Sequence, residues 1–474
     1  MGEARRRGTA AERRAQALNR LKEQFVAKLG VAEERNQQYL RTAMRALLDR
    51  MTPEEWTARR EAILQALRQR APGTELATAP AVRIRDDEIA WYLFLCQQAI
   101  EDPACSDVSQ SQRALPFLAG LGARWQYAPR VDGLERKVDE LLTDYRQEPD
   151  GVLFEILVAL AYAAEGWAVT LLPEGAGKTP DMRIVRDGRE FFVECKRMAR
   201  KTQYAETERN QFLQLWDRAK SQLIQNRQWI WFKGTFHVEA SEFEPDFLAH
   251  VFRSALPLSG PEKLIHDSDR ATIHARIIDQ AAVHRHMQAN WVKAHSPMLA
   301  RLLGGDWAPD DASTTLLHLV KTGQLAWCDV PVLGTYIDEI GFACGFTRSF
   351  DGEISIDKKA RDITKLLSEA VKQVPADRPS IIHIAAETME GAAIERRRTE
   401  KVMQRLPTFT TGKPVVAVRL HRLQGHQRTD LLYEMDETVD NFQTEGVDLS
   451  GMPKMVVTPP GTRSRKGSHW NLYP

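Results

Sequence analysis

Between residues 10 and 70 the apolar positions recur every three or four residues, as in "AERRAQALNRLKEQFVAKLGVAEERNQQYLRTAMRALLDRM", which predicts amphipathic helices. A second helix should open at "TPEEWTARREAILQALRQR", with Thr52 as N-cap and Pro53 at its first position, and stop at Pro72-Gly73. Further helices are expected around 86–101, 111–121 and 131–147, making residues 1–147 a helical N-terminal domain. From 148 to 240 the pattern becomes helix, strand, hairpin, helix, strand. Residues 241–345 read as mostly helical, ending in strand-like pieces such as "LLHLVKTG" and "GTYIDEIGFA". Residues 346–474 read as α/β, with the helix "DKKARDITKLLSEAVKQV", the buried strand "PSIIHIAAE" and a second strand "KPVVAVRLHRL". The closing "TPPGTRSRKGSHWNLYP" is expected to be irregular.

The stretch "TPDMRIVRDGREFFVECKR", Thr179 to Arg197, has the form of a β-hairpin about Asp187-Gly188, a favoured two-residue turn. Alternation along its second strand puts Phe191, Val193 and Cys195 on one face and Phe192, Glu194 and Lys196 on the other. Asp181, on the partner strand, reaches Glu194 and Lys196 if the register brings that face around. Two such carboxylates repel unless a cation stands between them. Upstream, "GVLFEILVALAYAA" is apolar nearly all round and carries Glu155 as its one charge, a costly placement for an unpaired carboxylate.

The order is a helix with Glu155, a strand, Pro180-Asp181, then Glu194-Cys195-Lys196, followed by a helix and a strand. It resembles the PD-(D/E)XK nuclease superfamily over residues 148–240. The resemblance implies an α/β fold with a restriction-endonuclease-like core, a mixed central sheet flanked by helices. It further implies a metal-dependent nuclease, most readily a DNA endonuclease, with a role in anti-phage defence by family analogy. Mg²⁺ or Mn²⁺ would be held by Asp181, Glu194, the main-chain carbonyl of Cys195 and Glu155. The catalytic set would be Glu155, Asp181, Glu194 and Lys196, with Lys196 orienting the attacking water and offsetting charge in the transition state. The other class of function compatible with these residues is a non-catalytic nucleic-acid-binding or assembly protein on the same fold. A solvent-facing Glu-Lys strand pair with no function would leave Glu155 unexplained.

Around this motif, Lys178 in the loop "GAGKT" and Arg197, Arg200, Lys201, Tyr204 and Gln222 after it are the expected nucleic-acid contacts. The loop lacks the first glycine of a phosphate-binding loop, Leu172 standing there, and a strand follows it rather than a helix. His284 and His286, two positions apart, point to different helix faces and do not suggest a metal site. A second helix–strand pair, ending in "SIIHIAAE", competes with residues 203–240 to complete the core. If it does so, residues 205–345 are an insertion; the sequence leaves both arrangements open.

Composition narrows the field further. A hydrophobic content of 43% and a charged content of 27% suit a globular chain. Lys+Arg of 65 against Asp+Glu of 64 confines any basic surface to a local groove. Five scattered cysteines with no CxxC pair are expected to be reduced thiols. With no apolar run fit to span a bilayer, a cytoplasmic protein with no membrane partner is expected. The N-terminal helices are expected to support a homodimer.

Overall fold

A computed structural model describes residues 31–69, 84, 86–173, 179–198, 202–290, 292–294, 296–304, 314–325, 327–328, 330, 332–361, 363–388, 390–406, 411–427 and 433–471. The elements run α1 (Val31–Leu48), α2 (Pro53–Gln69), α3 (Glu88–Glu101), α4 (Val108–Arg124), β1 (Val131–Asp132), α5 (Leu134–Leu142), α6 (Asp150–Ala164), β2 (Ala168–Leu171), β3 (Met182–Arg186) and β4 (Arg189–Arg197). Next come α7 (Gln203–Asn226), β5 (Ile230–Phe236), α8 (Phe247–Ala255), β6 (Glu262–Asp267), β7 (Ala271–Ile277), α9 (Gln280–Ala289), β8 (Val292–Lys293), α10 (Pro297–Gly304), β9 (Thr314–Gln324) and β10 (Thr335–Phe350). The chain ends with α11 (Glu353–Lys359), α12 (Thr364–Gln373), β11 (Ser380–Glu387), α13 (Ala392–Arg405), β12 (Val415–Gln427) and β13 (Tyr433–Gln443).

Local signals hold where they were strongest. Thr52 caps α2 by accepting from the Glu55 N–H at 3.1 Å. The turn between β3 and β4 has φ of 50° at Asp187 and 72° at Gly188, the left-handed pair that a tight hairpin requires. Helix α6 buries residues on every side, as its apolar composition demands. In α4, a side chain at Gly122 would stand 1.8 Å from the Tyr39 carbonyl oxygen, so glycine there lets α4 approach α1 closely.

The strands make two mixed sheets flanked by helices. The first has the order β1-β2-β3-β4-β11-β12-β13, and the second has β6-β7-β5-β10-β8 with β9 on β10. In the first, β4 is antiparallel to β3 and parallel to β11, with Cys195 beside His383. Helix α6 covers one face through Val152, Ile156 and Tyr162 with Val193, Ile381 and Ala385. Helix α12 covers the other, through Leu367 and Ala370 with Ile382 and Ile384. The second sheet packs Phe232, Phe236 and Phe346 on Phe212 and Trp216 of α7.

These pairings correct the residue boundaries expected from the sequence. The strand after α7 does not extend the sheet that holds the hairpin. β5 lies between β7 and β10, and β11 takes the position beside β4. Residues 241–345 are not mostly helical either, since they contribute β6 to β9 and most of β10. The alternation in β7 is present, with Ala271, Ile273 and Ala275 buried and Thr272, His274 and Arg276 on the other face. Strand β13, "YEMDETVDNFQ", was not anticipated, because its acidic residues suit a sheet edge better than a buried run.

A chain of buried polar groups ties α6 to β11, β12 and β13. The Tyr162 hydroxyl lies 2.9 Å from His383 Nε2, His383 Nδ1 lies 2.9 Å from His421 Nε2, and His421 Nδ1 lies 2.9 Å from Glu437 Oε1. The backbone N–H groups of Val456, Val457 and Thr458 also donate to Glu437. Burial pushes both histidines below their usual range. Burial alone would raise Glu437, but His421 and the N–H donors hold it at about 2. Depressed folded-state values mean that this network stabilises the fold above the unfolded-state values and loses that contribution as the pH falls through them. Replacing His421 by Leu should cost about 3–5 kcal/mol by leaving Glu437 without its imidazole. It should also flatten the loss of stability below pH 6.5 (thermal or urea unfolding against pH).

Candidate active site at the β3–β4 hairpin

The register of the hairpin does what the sequence required. Met182 pairs with Val193, so the next step of the ladder sets Asp181 opposite Glu194. Asp181 lies just before β3, and its Oδ2 accepts the Cys195 N–H at 2.6 Å, a side chain continuing the ladder ahead of the first residue of β3. Glu194 is fully buried, and its Oε1 stands 2.5 Å from Lys196 Nζ. Glu155, one and a half turns into α6, reaches the same region, with Oε2 2.6 Å from Lys137 Nζ.

The three acids lie within electrostatic reach of one another. Burial, and then Asp181, push Glu155 up to about 8 despite Lys137. Burial and Glu194 push Asp181 up, and burial pushes Glu194 up against the pull of Lys196. Burial followed by Asp181, Glu155 and Glu194 keeps the Cys195 thiol protonated well above its usual range. Burial would lower Lys196, but Glu194 more than offsets it and the ammonium is held above its usual value. All three carboxylates therefore share one buried environment with Lys196 and Lys137.

Lys137 was not anticipated. Its signal lay in "LERKVDELL", where Leu134, Val138, Leu141 and Leu142 form the buried stripe of α5 and Lys137 falls on that stripe, three positions after Leu134. A lysine there, 5% exposed at its side chain, needs a buried anion, and Glu155 provides it.

The expected nucleic-acid contacts fare differently. Arg197 does not face the mouth of the site. It pairs with Glu387, lies 4.8 Å over the Phe117 ring and is 8% exposed at its side chain. Glu387 also accepts from Arg113 at 3.1 Å, and Arg113 contacts Glu88, Tyr92 and Asp150, so Arg197 belongs to a structural network. Tyr204 donates to Glu208 at 3.0 Å and packs under Lys358 of α11. The Gln222 amide faces the Ala249 carbonyl and the Arg253 guanidinium of α8, away from the hairpin. Lys178, Arg200 and Lys201 lie outside the described residues. His284 approaches the Ile340 carbonyl at 3.4 Å and packs on Trp229.

Asp181, Glu194 and Glu155 are oxygen donors of the kind a hard divalent cation takes. Oε2 of Glu194 is buried with no hydrogen-bond donor among the described residues, a demand that an ion would meet. Against this, among the described residues no three His, Cys, Asp or Glu side chains stand close enough together to ligate one ion as they are placed. Each acid rests instead on a lysine or an N–H group. The donor set fits such an ion in kind, and ligation requires the acids to exchange these partners for it.

A raised folded-state value means that Glu155 favours folding most below its unfolded value and loses that contribution as the pH rises through about 8. The stability of the metal-free wild type relative to Glu155→Gln should therefore fall between pH 5 and 9. Thermal unfolding of both proteins in EDTA across that range checks it. No protein-family model, curated protein or solved structure matches the chain, which leaves the geometry of the site as the basis for its function.

Proposed function

We propose that the chain is a metal-dependent nuclease of the PD-(D/E)XK type that hydrolyses phosphodiester bonds, with DNA its substrate. The observation that supports this most is the convergence of Glu155, Asp181 and Glu194, from a helix and both sides of a hairpin, around the Lys196 ammonium. The first sheet, mixed and covered by α6 and α12, accords with a restriction-endonuclease-like core.

Asp181, Glu194 and the Cys195 carbonyl would hold Mg²⁺ or Mn²⁺, which when bound supplies Lewis-acid polarisation of a phosphate oxygen. Lys196 orients the attacking water and faces the charge that develops on the phosphorus oxygens. Its contact with Glu194 fixes the ammonium at the site before substrate arrives. Burial of the acids excludes bulk water and strengthens each of these interactions. A role in anti-phage defence rests on the family resemblance alone.

One observation favours a second reading. Every acid of the cluster already has a cationic or N–H partner, which a non-catalytic nucleic-acid-binding protein on this fold would also require. Plasmid cleavage separates the two. Cleavage should need Mg²⁺ or Mn²⁺ and be abolished by EDTA. Asp181→Asn, Glu194→Gln and Lys196→Ala should each lower it by at least ~10²-fold. DNA binding in gel shifts should change little. Metal-independent cleavage, or none on any linear, circular, single- or double-stranded substrate, would count against the nuclease.

A further inference from the structure

We propose that Lys137 takes the place of a second divalent cation, so that this site binds one metal ion per chain. The inference rests on the metal-dependent reading above and specifies its stoichiometry.

Glu155 is the acid that a second ion would need, because Asp181 and Glu194 face each other across the hairpin while Glu155 comes from α6. Its carboxylate is paired with an enclosed lysine, whereas Lys196, the partner of Glu194, is 21% exposed at its side chain and has room to turn aside. Lys137 Nζ stands 2.6 Å from Oε2, with a side chain 5% exposed, and a further acid of α5, Glu140, lies 3.5 Å away. The Tyr145 ring, 6.0 Å from the same nitrogen, closes another side. The ammonium therefore stands against the Glu155 oxygen that a second ion would have to ligate. An ion ligated by the same oxygen would be repelled by that ammonium at close range.

Charge counting gives the same answer. Ionised, Glu155, Asp181, Glu194 and Glu140 carry four negative charges against the three positive charges of Lys137, Lys196 and Arg136, the last paired with Glu140, a net −1. One divalent ion brings the cluster to +1, which the single negative charge of a phosphodiester neutralises. Two ions would leave +3 in a buried site, an excess that a single phosphodiester cannot balance. The two lysines reach the cluster from different elements, Lys196 from β4 and Lys137 from α5, and each takes one acid.

The test is Mn²⁺ binding to the full chain without substrate near pH 8, by calorimetry and by the free-Mn²⁺ electron paramagnetic resonance signal. Wild type should bind one ion. Lys137→Met should bind two, because Glu155 is released as a ligand, and Lys137→Arg, which keeps the charge, should bind one. Two ions on the wild type, or one on both wild type and a folded Lys137→Met, would overturn the role given to Lys137 and leave the nuclease reading standing. No ion on the wild type would remove the metal-dependent reading itself. Circular dichroism establishes that the variants fold, and the wild-type stoichiometry decides the first outcome without them.

Discussion

The parallel pairing of β4 with β11 is the constraint on which the rest of the structure depends. β4 carries Glu194 and Lys196 and is shared between the hairpin and the remainder of the first sheet. With β11 beside it, the sheet has helices on both faces, α6 with Glu155 on one and α12 on the other. Arg197, at the end of β4, meets Glu387, at the end of β11, 190 positions along the chain. Arg113 of α4 joins that pair and extends it to Asp150 at the start of α6 and Glu88 at the start of α3. The helical N-terminal segment, the two central strands and the helix that carries Glu155 are thus tied at one buried polar cluster. Such a cluster is costly to break, since each removed partner leaves a buried charge uncompensated.

The candidate site lies close to that cluster and has the opposite electrostatic character. At Arg113 every acid meets a guanidinium, whereas around the hairpin the acids outnumber the lysines and are pushed up by burial and by one another. The second sheet lies between the two halves of the first along the chain, and α7, β5 and β10 build its core from aromatic side chains. Among the described residues no helix is long and apolar enough to cross a membrane.

Some of this was legible residue by residue. The Asp187-Gly188 turn, the Thr52 cap and the buried Glu155 on an apolar helix are local facts, decided by left-handed φ angles, a side-chain oxygen near free N–H groups and a helical period. The alternation of β4 and the turn type together set the hairpin register, and with it the meeting of Asp181 and Glu194. Arg197 and Gln222 were misplaced, because their partners Glu387 and Arg253 come from other elements that their own neighbourhood in the chain does not reveal, and Tyr204 is taken up by Glu208 of its own helix and by Lys358.

The chain by itself determined the hairpin, the acids on it and the helix that brings the third, because turn geometry and side-chain period act over a few residues. Tertiary structure alone decided that β11 rather than β5 borders β4, that residues 262–350 make strands of a separate sheet, and that Lys137 stands against Glu155. Strand pairing across long separations is selected by which faces can be buried together, and a buried lysine by which anion it meets. Neither quantity exists until the chain has folded.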